Sequence, residues 1–302
     1  MQTILVAESG STKTEWRILL KNEQNQQQDT DHHPHEIISL IPTKGISPYF
    51  QTSLEILQDL KTNLSPQITP YEITDVYFYG SGCSTEEKKG TVKAAFSSFL
   101  KAANINISHD MLACAYALCG REAGIACILG TGANVCLYDG NDITQNTVNL
   151  GFWLGDEGSG GFLGKSLVVK YLHNELPAEL AEKFEKKYNF LKIEKQTKTI
   201  AQVLDNAYKK QFPNRYFGGF APFFSENIDN IFCRNFVKQS LEFFVERYIF
   251  SIKNYQKYEI CFTGSVAYVF KEILEEILTE KNLKKGKFIK SPIDELAKYH
   301  FE

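Results

Sequence analysis

Two short runs of small and polar residues hold most of the chemistry this sequence can offer. Glu8-Ser9-Gly10-Ser11-Thr12-Lys13 and Gly130-Thr131-Gly132 each join two apolar stretches. Glycine permits unusual backbone torsions and close approach, so the N–H groups of such turns can converge on an anion, and Ser and Thr hydroxyls add donors. The first turn also brings an ammonium, Lys13, and a carboxylate, Glu8. Together they suit a triphosphate, with the carboxylate near a metal ion. Either one alone is more often only a tight hairpin.

Further carboxylates stand at helix starts. Asp110 precedes the apolar run MLACAYALC, where it can cap a helix that Gly120 ends. Gly155-Asp156-Glu157-Gly158 reads as a tight acidic turn before a helix beginning near Ser159. Its carboxylates can hydrogen-bond sugar hydroxyls or complement the helix dipole. The same stretch, GDEGSGGFLGKS, ends in the Gly-Lys-Ser of a P-loop, but Gly158 lies one residue too far from Gly164 and no clean buried strand precedes it. Gly80 and Gly82 begin a dinucleotide-binding pattern that fails at Thr85. The histidines of HHPH, residues 32–35, have no carboxylate or cysteine to complete a ligand set and read as exposed loop.

The elements that must position these groups follow from periodicity. ILVA and TEWRILL flank the first turn as strands, and IACIL and NVCLYDG flank the second, which makes a weak internal duplication. Between them the sequence predicts a strand over 36–41, a turn at TKGISPYF, and a helix with Leu54, Leu57, Leu60 and Leu64 on its apolar face. Next come the strand VYFYG and a helix with a capping box at Ser84 and Glu87. The carboxy-terminal part is mainly helical, with an apolar stripe from Ile231 to Ile252 and one further strand, turn and helix at EICFTGSVAYVFKEIL. These elements predict two α/β lobes.

Composition narrows the partners. The 302 residues are 43% hydrophobic, enough for a substantial core, and a net charge of -3 with dispersed charges offers no field for a nucleic-acid backbone. The seven cysteines form no CxxC or Cys/His ligand spacing and read as reduced core thiols. No run approaches the ~20 apolar residues of a membrane span. The expectation is a cytoplasmic protein that binds a small molecule, with neither nucleic acid nor membrane as partner.

In order, AESGSTKTEW, SHDMLACAYAL, ILGTGANV, GDEGSGGFLG and CFTGSVA resemble the N-acetylglucosamine kinase and BadF/BadG/BcrA/BcrD-type ATPase family, within the superfamily of actin, sugar kinases and heat-shock chaperones. The resemblance covers nearly the whole chain. It implies an α/β fold of two ribonuclease-H-like, actin-like ATPase lobes with an interlobe cleft, the first over residues 1–109 with about 290–302, the second over 110–289 with a helical insertion. It implies ATP and Mg2+ as cofactors, an amino sugar phosphorylated at its 6-hydroxyl, most simply N-acetylglucosamine, and it allows a homodimer.

Carried over by position, Gly10, Ser11, Thr12 and Lys13 bind the β- and γ-phosphates, and Glu8 acts at Mg2+ through water where many relatives have Asp. Gly130, Thr131 and Gly132 form the second phosphate turn, with Ala133 where relatives commonly have Ser. Gly264 and Ser265 match the adenosine motif, and Gly218 a second nucleotide-side segment. Asp110 matches the catalytic aspartate, oriented to take the hydroxyl proton. Ser47, Asn134, Gly151, Trp153, Asp156 and Glu157 fall on acceptor-side positions, Ser47 where relatives often have Asn. The alternative within the fold is an ATPase that activates a partner enzyme through a bridging iron–sulfur cluster. That reading needs a cysteine placed like the KCAAGTG motif, whereas here CILGTG carries Cys127 inside a predicted strand.

Overall fold

A computed structural model describes residues 2–10, 12–21, 35–188 and 196–301. Ser11 and the polar run 22–34 lie outside the described residues. The chain divides into two compact units: Met1–Ala123 with Tyr138–Ile143 and Ser291–Glu302, and Gly124–Leu137 with Thr144–Lys290. The helix that opens at Asp110 therefore belongs to the first unit, where the expected boundary at 109/110 had put it in the second. Its buried face, Met111, Ala113, Cys114, Ala115, Ala117 and Leu118, explains why it stays there.

The first unit is built on strands β1 (Gln2–Ser9), β2 (Lys13–Lys21), β3 (His35–Ser39), β4 (Thr43–Lys44), β5 (Asp75–Gly80) and β6 (Asn104–His109). They run in the order β3-β2-β1-β5-β6, with the short β4 on β2. β1 and β2 are antiparallel, while β1, β5 and β6 are parallel. Ile4–Ala7 form an unbroken apolar run because β1 is central and covered on both faces. In β2, by contrast, Thr14, Trp16 and Ile18 alternate inward, and Trp16 packs on Phe96 in the core beneath.

Two sequence expectations shift by a residue or two. The helical run that begins at Ser53 is capped by Thr52 and Glu55 and buries Ile56, Leu60 and Leu64. Leu54, expected on that face, is instead exposed, because the row that fits the sheet is i, i+4, i+8 from Ile56. The Glu86–Phe99 helix takes its cap from Thr85, whose hydroxyl accepts the Lys88 N–H, and not from Ser84.

The second unit repeats the plan. β7 (Ala123–Leu129), β8 (Ala133–Asp139), β9 (Ile143–Asn146), β10 (Ile260–Thr263) and β11 (Lys285–Ile289) lie in the order β11-β10-β7-β8-β9. With the short β4 left out of the count, both sheets have the third, second, first, fourth and fifth strands side by side, with the fourth and fifth parallel to the first. The helical insertion between β9 and β10 supplies a phenylalanine-rich core, including Phe184, Phe217, Phe223, Phe224 and Phe244. Its main apolar stripe forms the Ile231–Phe244 helix, continued by a π-helical turn over Val245–Ile249. Among the described residues no helix is long and apolar enough to cross a membrane.

Candidate active site

In the first unit the register sets Ser9, Gly80 and His109 in one row at the carboxyl ends of the parallel strands, the edge where open α/β sheets bind ligands. The turn after β1 is closed by the Gly10 N–H on the Lys13 carbonyl at 3.1 Å, and the Gly45 N–H donates to the Thr12 carbonyl at 3.2 Å. Beneath it the buried Ser9 and Thr14 hydroxyls lie 2.8 Å apart. Ser9 also accepts the Ile46 N–H at 2.9 Å, and Thr14 donates to the Lys44 carbonyl at 2.9 Å. This bracing draws the 44–47 loop beside the turn, so Ser47, buried and taking part in its own turn through its carbonyl, sits close to the expected phosphate residues. Thr12 and Lys13 are exposed, Lys13 pairing with Glu15 at 2.9 Å.

Asp110 does not cap its helix. His109 does, its ring Nδ1 accepting the Leu112 N–H, so Asp110 is the first helical residue. Its carboxyl draws on the backbone N–H groups of Met111 and itself, yet burial outweighs these and His109 and lifts it above the usual aspartate range. Glu8, two strands away across the row, is pushed up to about 8, first by burial, then by the charges of Asp110 and Glu15, with Lys13 pulling the other way. Around Glu8 the carboxylates of Asp110 and Glu15 thus outnumber the one ammonium, Lys13. Hard oxygen donors in excess suit a divalent cation, and Mg2+ is usually held by one or two carboxylates plus substrate phosphates. The residues present fit that ion; among the described residues no group of three His, Cys, Asp or Glu side chains forms an all-protein metal cage.

The second turn, in the other unit, is closed in the same way, by the Gly130 N–H on the Gly132 carbonyl at 3.0 Å. Backbone from three other segments of that unit packs on it. The Gly160 and Gly161 N–H groups donate to the Gly130 and Thr131 carbonyls at 2.8 and 3.0 Å. Gly264, at φ +111, lies so near that a Cβ would come within 2.4 Å of the Leu129 carbonyl oxygen, and a Cβ on Gly218 would lie 3.5 Å from the Thr131 methyl. Ser265 follows at the start of a short exposed-edge helix, and next to Gly264 the buried Thr263 hydroxyl has no hydrogen-bond partner.

The acidic turn forms as expected, with Asp156 and Gly158 at positive φ. Neither carboxylate caps the helix, because the Ser159 hydroxyl accepts the Phe162 N–H and does so itself. Asp156, buried, accepts the Ala133 N–H at 3.1 Å and so braces the phosphate turn from below. Glu157 is also buried, bonded to the Tyr248 hydroxyl at 2.5 Å and paired with Arg247. Tyr248 and Arg247 are ninety residues away along the chain, and nothing in their local sequence marks them. Asn134 lies half-buried after the turn, its side-chain oxygen on the Val135 N–H. Gly151, at φ +68, opens the Gly151–Leu154 turn with free space where a Cβ would be. Trp153 is 48% exposed and stacks on Tyr208.

Solved structures share this architecture. A candidate N-acetylglucosamine kinase from Porphyromonas gingivalis is 35% identical over 98% of both chains, with a TM-score of 0.84. A candidate N-acetylglucosamine kinase from Chromobacterium violaceum gives a TM-score of 0.68 at 13% identity, over 99% of both chains. A ROK family glucokinase from Streptomyces griseus, solved with glucose and AMPPNP, gives 0.51 at 12% identity over 98% of both. No protein-family model and no curated protein matches the chain. Twin sheets of one strand order, each with a small-residue hairpin turn after its first strand, define the actin-like ATPase fold. Within it, the chain belongs to the N-acetylglucosamine kinase-like family of actin-like sugar kinases.

Proposed function

We infer that this protein is an ATP-dependent kinase that phosphorylates the 6-hydroxyl of an amino sugar, N-acetylglucosamine or a near relative. The observation that carries the reading is Asp110: a carboxylate relieved of capping by His109, held at the carboxyl edge of the sheet two strands from Glu8, whose charge it feels, in a chain 35% identical to a candidate kinase of that sugar. In the reaction the hydroxyl oxygen bonds to the γ-phosphorus, the bond to the β,γ-bridging oxygen breaks, ADP leaves, and the hydroxyl proton passes to Asp110. Positioning and charge neutralisation supply most of the acceleration. Gly10, Thr12 and Lys13 in one unit, and Gly130, Thr131 and Gly132 in the other, would donate to the phosphates. Gly218, Gly264 and Ser265 would flank the nucleotide. Ser47, Asn134, Gly151 and Trp153 would line the acceptor, Asp156 acting there or through the Ala133 N–H it holds, and Glu157 there or through Tyr248. Mg2+, when bound, would neutralise phosphate charge, with Glu8 as its carboxylate.

The partner-activating ATPase reading needs an accessible cluster-ligating thiol, and Cys127 is wholly buried within β7. A coupled ADP-release assay over N-acetylglucosamine, N-acetylmannosamine, N-acetylmuramic acid and glucose tests the kinase. Sugar-dependent release with an N-acetylated amino sugar is the expected result. Release with none of the four would remove the kinase reading and return weight to the activator.

A further inference from the structure

Lys165, the lysine of the rejected P-loop match, has a setting that the phosphate turns do not explain. It lies on the Gly160–Leu172 helix one turn after Gly161, half-buried. Its ammonium donates to the Phe152 carbonyl at 3.1 Å and stands over the rings of Phe152, Trp153 and Phe162, with centroids at 4.8, 5.9 and 5.9 Å. Among the described residues it meets no carboxylate at ion-pair distance. Burial pushes its amine below the usual lysine range, with Asp156 and Glu157 pulling the other way. Taking an ammonium partly out of water is costly, and contacts with aromatic faces and one carbonyl are what offset that cost here.

What those contacts hold is a tightly turning piece of backbone. Between Gly151 and Gly158 three residues sit at positive φ, Gly151, Asp156 and Gly158. Gly151–Leu154 is a single helical turn, too short to be stable by itself. The Phe152 ring in turn covers Gly161, where a Cβ would come within 3.1 Å of it and 2.9 Å of the Thr131 carbonyl oxygen. One line of contact therefore runs from the Lys165 ammonium through Phe152 and Gly161 to Thr131.

We propose that Lys165 is a positioning residue for the acceptor, tying the Gly151–Leu154 turn to the Gly160–Leu172 helix and so holding acceptor-side backbone in register with the second phosphate turn. The proposal rests on the kinase reading for its kinetic consequence, but its structural content stands without it. Lys165 touches no reacting atom in this scheme; it acts through the Phe152 carbonyl and the rings around it.

The test is Lys165→Met, which keeps the stem and removes the charge, against Lys165→Arg, which restores a cationic donor. Lys165→Met should raise the KM for the sugar about tenfold, the scale of losing a charge-assisted hydrogen bond, with kcat and the KM for ATP within about twofold and Lys165→Arg recovering most of the loss. A second readout needs no turnover. Trp16 is wholly buried, so acrylamide quenching of tryptophan emission reports on Trp153. Quenching should increase in Lys165→Met and return in Lys165→Arg. An unchanged KM for the sugar overturns the proposal. So does a joint loss of kcat, ATP affinity and melting temperature, which would make Lys165 a residue of the fold alone. Should the wild type transfer phosphate to no sugar, the kinase reading fails and the quenching comparison decides this proposal by itself. Lys165→Gln serves in the same way if the Met variant does not fold.

Discussion

Asp110→Asn should remove sugar-dependent ADP release by roughly 10²- to 10⁴-fold, the usual contribution of a positioned general base. The amide is isosteric but accepts no proton, so the KM for ATP should stay within about twofold. Because His109 caps the helix, no cap is lost, and with a buried charge removed the melting temperature should hold or rise. A kcat near that of wild type in the coupled assay would show that Asp110 has no part in proton transfer. Glu8 gives a second, pH-linked expectation. Its folded pKa of about 8 lies above the ordinary 4.5, so the folded state holds a proton that the unfolded state gives up. Stability of the metal-free protein is therefore greatest below about pH 4.5 as far as Glu8 is concerned, and falls as pH rises through 8. Glu8→Gln should flatten that decline and raise the melting temperature at pH 8.5 in the presence of a chelator. Thermal unfolding across pH 5–9 checks it; parallel curves for mutant and wild type would mean that the Glu8 carboxyl is not raised in the fold.

At the scale of elements, the turns are kept in shape by what packs on them. Gly264 is the sharpest case: its φ of +111 disfavours any side chain, and a Cβ would meet the Leu129 carbonyl at 2.4 Å and the Gly130 nitrogen at 3.0 Å. Gly264→Ala should therefore cost about 1–3 kcal/mol and displace the second turn. Calorimetry should find ATP-analogue affinity reduced along with melting temperature. Undiminished affinity would show that β10 and the turn are not coupled. The same level of organisation explains which local expectations moved. Leu54 and Ile56 are both apolar in the sequence, and only the packing of the core decides that Ile56 is the one buried. Ser84 and Thr85 are both good caps, and Asp110 is by type a better one than His109. The fold settles on Thr85 and His109.

At the scale of the whole molecule, the first unit is completed from the far end of the chain. Residues 293–299 form a helix whose Ile293, Leu296 and Ala297 are buried. Beyond it His300 stacks on Tyr77 at 4.1 Å and meets the Tyr79 hydroxyl at 2.9 Å, while Tyr299 stacks on Tyr116. Burial, with Lys21 and Arg121 nearby, lowers His300 from the usual 6.5 to about 4. A depressed histidine is held neutral in the fold, so its contribution is intact above pH 6.5 and is lost as pH falls from there towards 4. Hydrogen exchange at pH 5 against pH 7, corrected for intrinsic rates, should show lost protection in 293–299, β5 and the 110–119 helix, with β7 and β10 unaffected. His300→Phe keeps a ring and should remove the difference. Equal loss across both units would place the acid sensitivity elsewhere.

The sequence by itself determined the two small-residue turns, the strands on either side of them, the acidic turn before Ser159 and the family those motifs resemble, because each is written in neighbouring residues through alternation, glycine and capping chemistry. Asp110 was legible as a candidate for the same reason. Only the tertiary structure decided that Asp110 is not a cap, that Asp156 braces the Ala133 N–H, that Glu157 is occupied by Tyr248 and Arg247, and that Lys165 holds Phe152. These are contacts between residues 13 to 91 positions apart, or a choice between neighbouring caps that residue type alone would have settled the other way. Local preference fixes what a residue can do; which partner it meets depends on where the sheets bring the rest of the chain, and a single sequence does not record that separately.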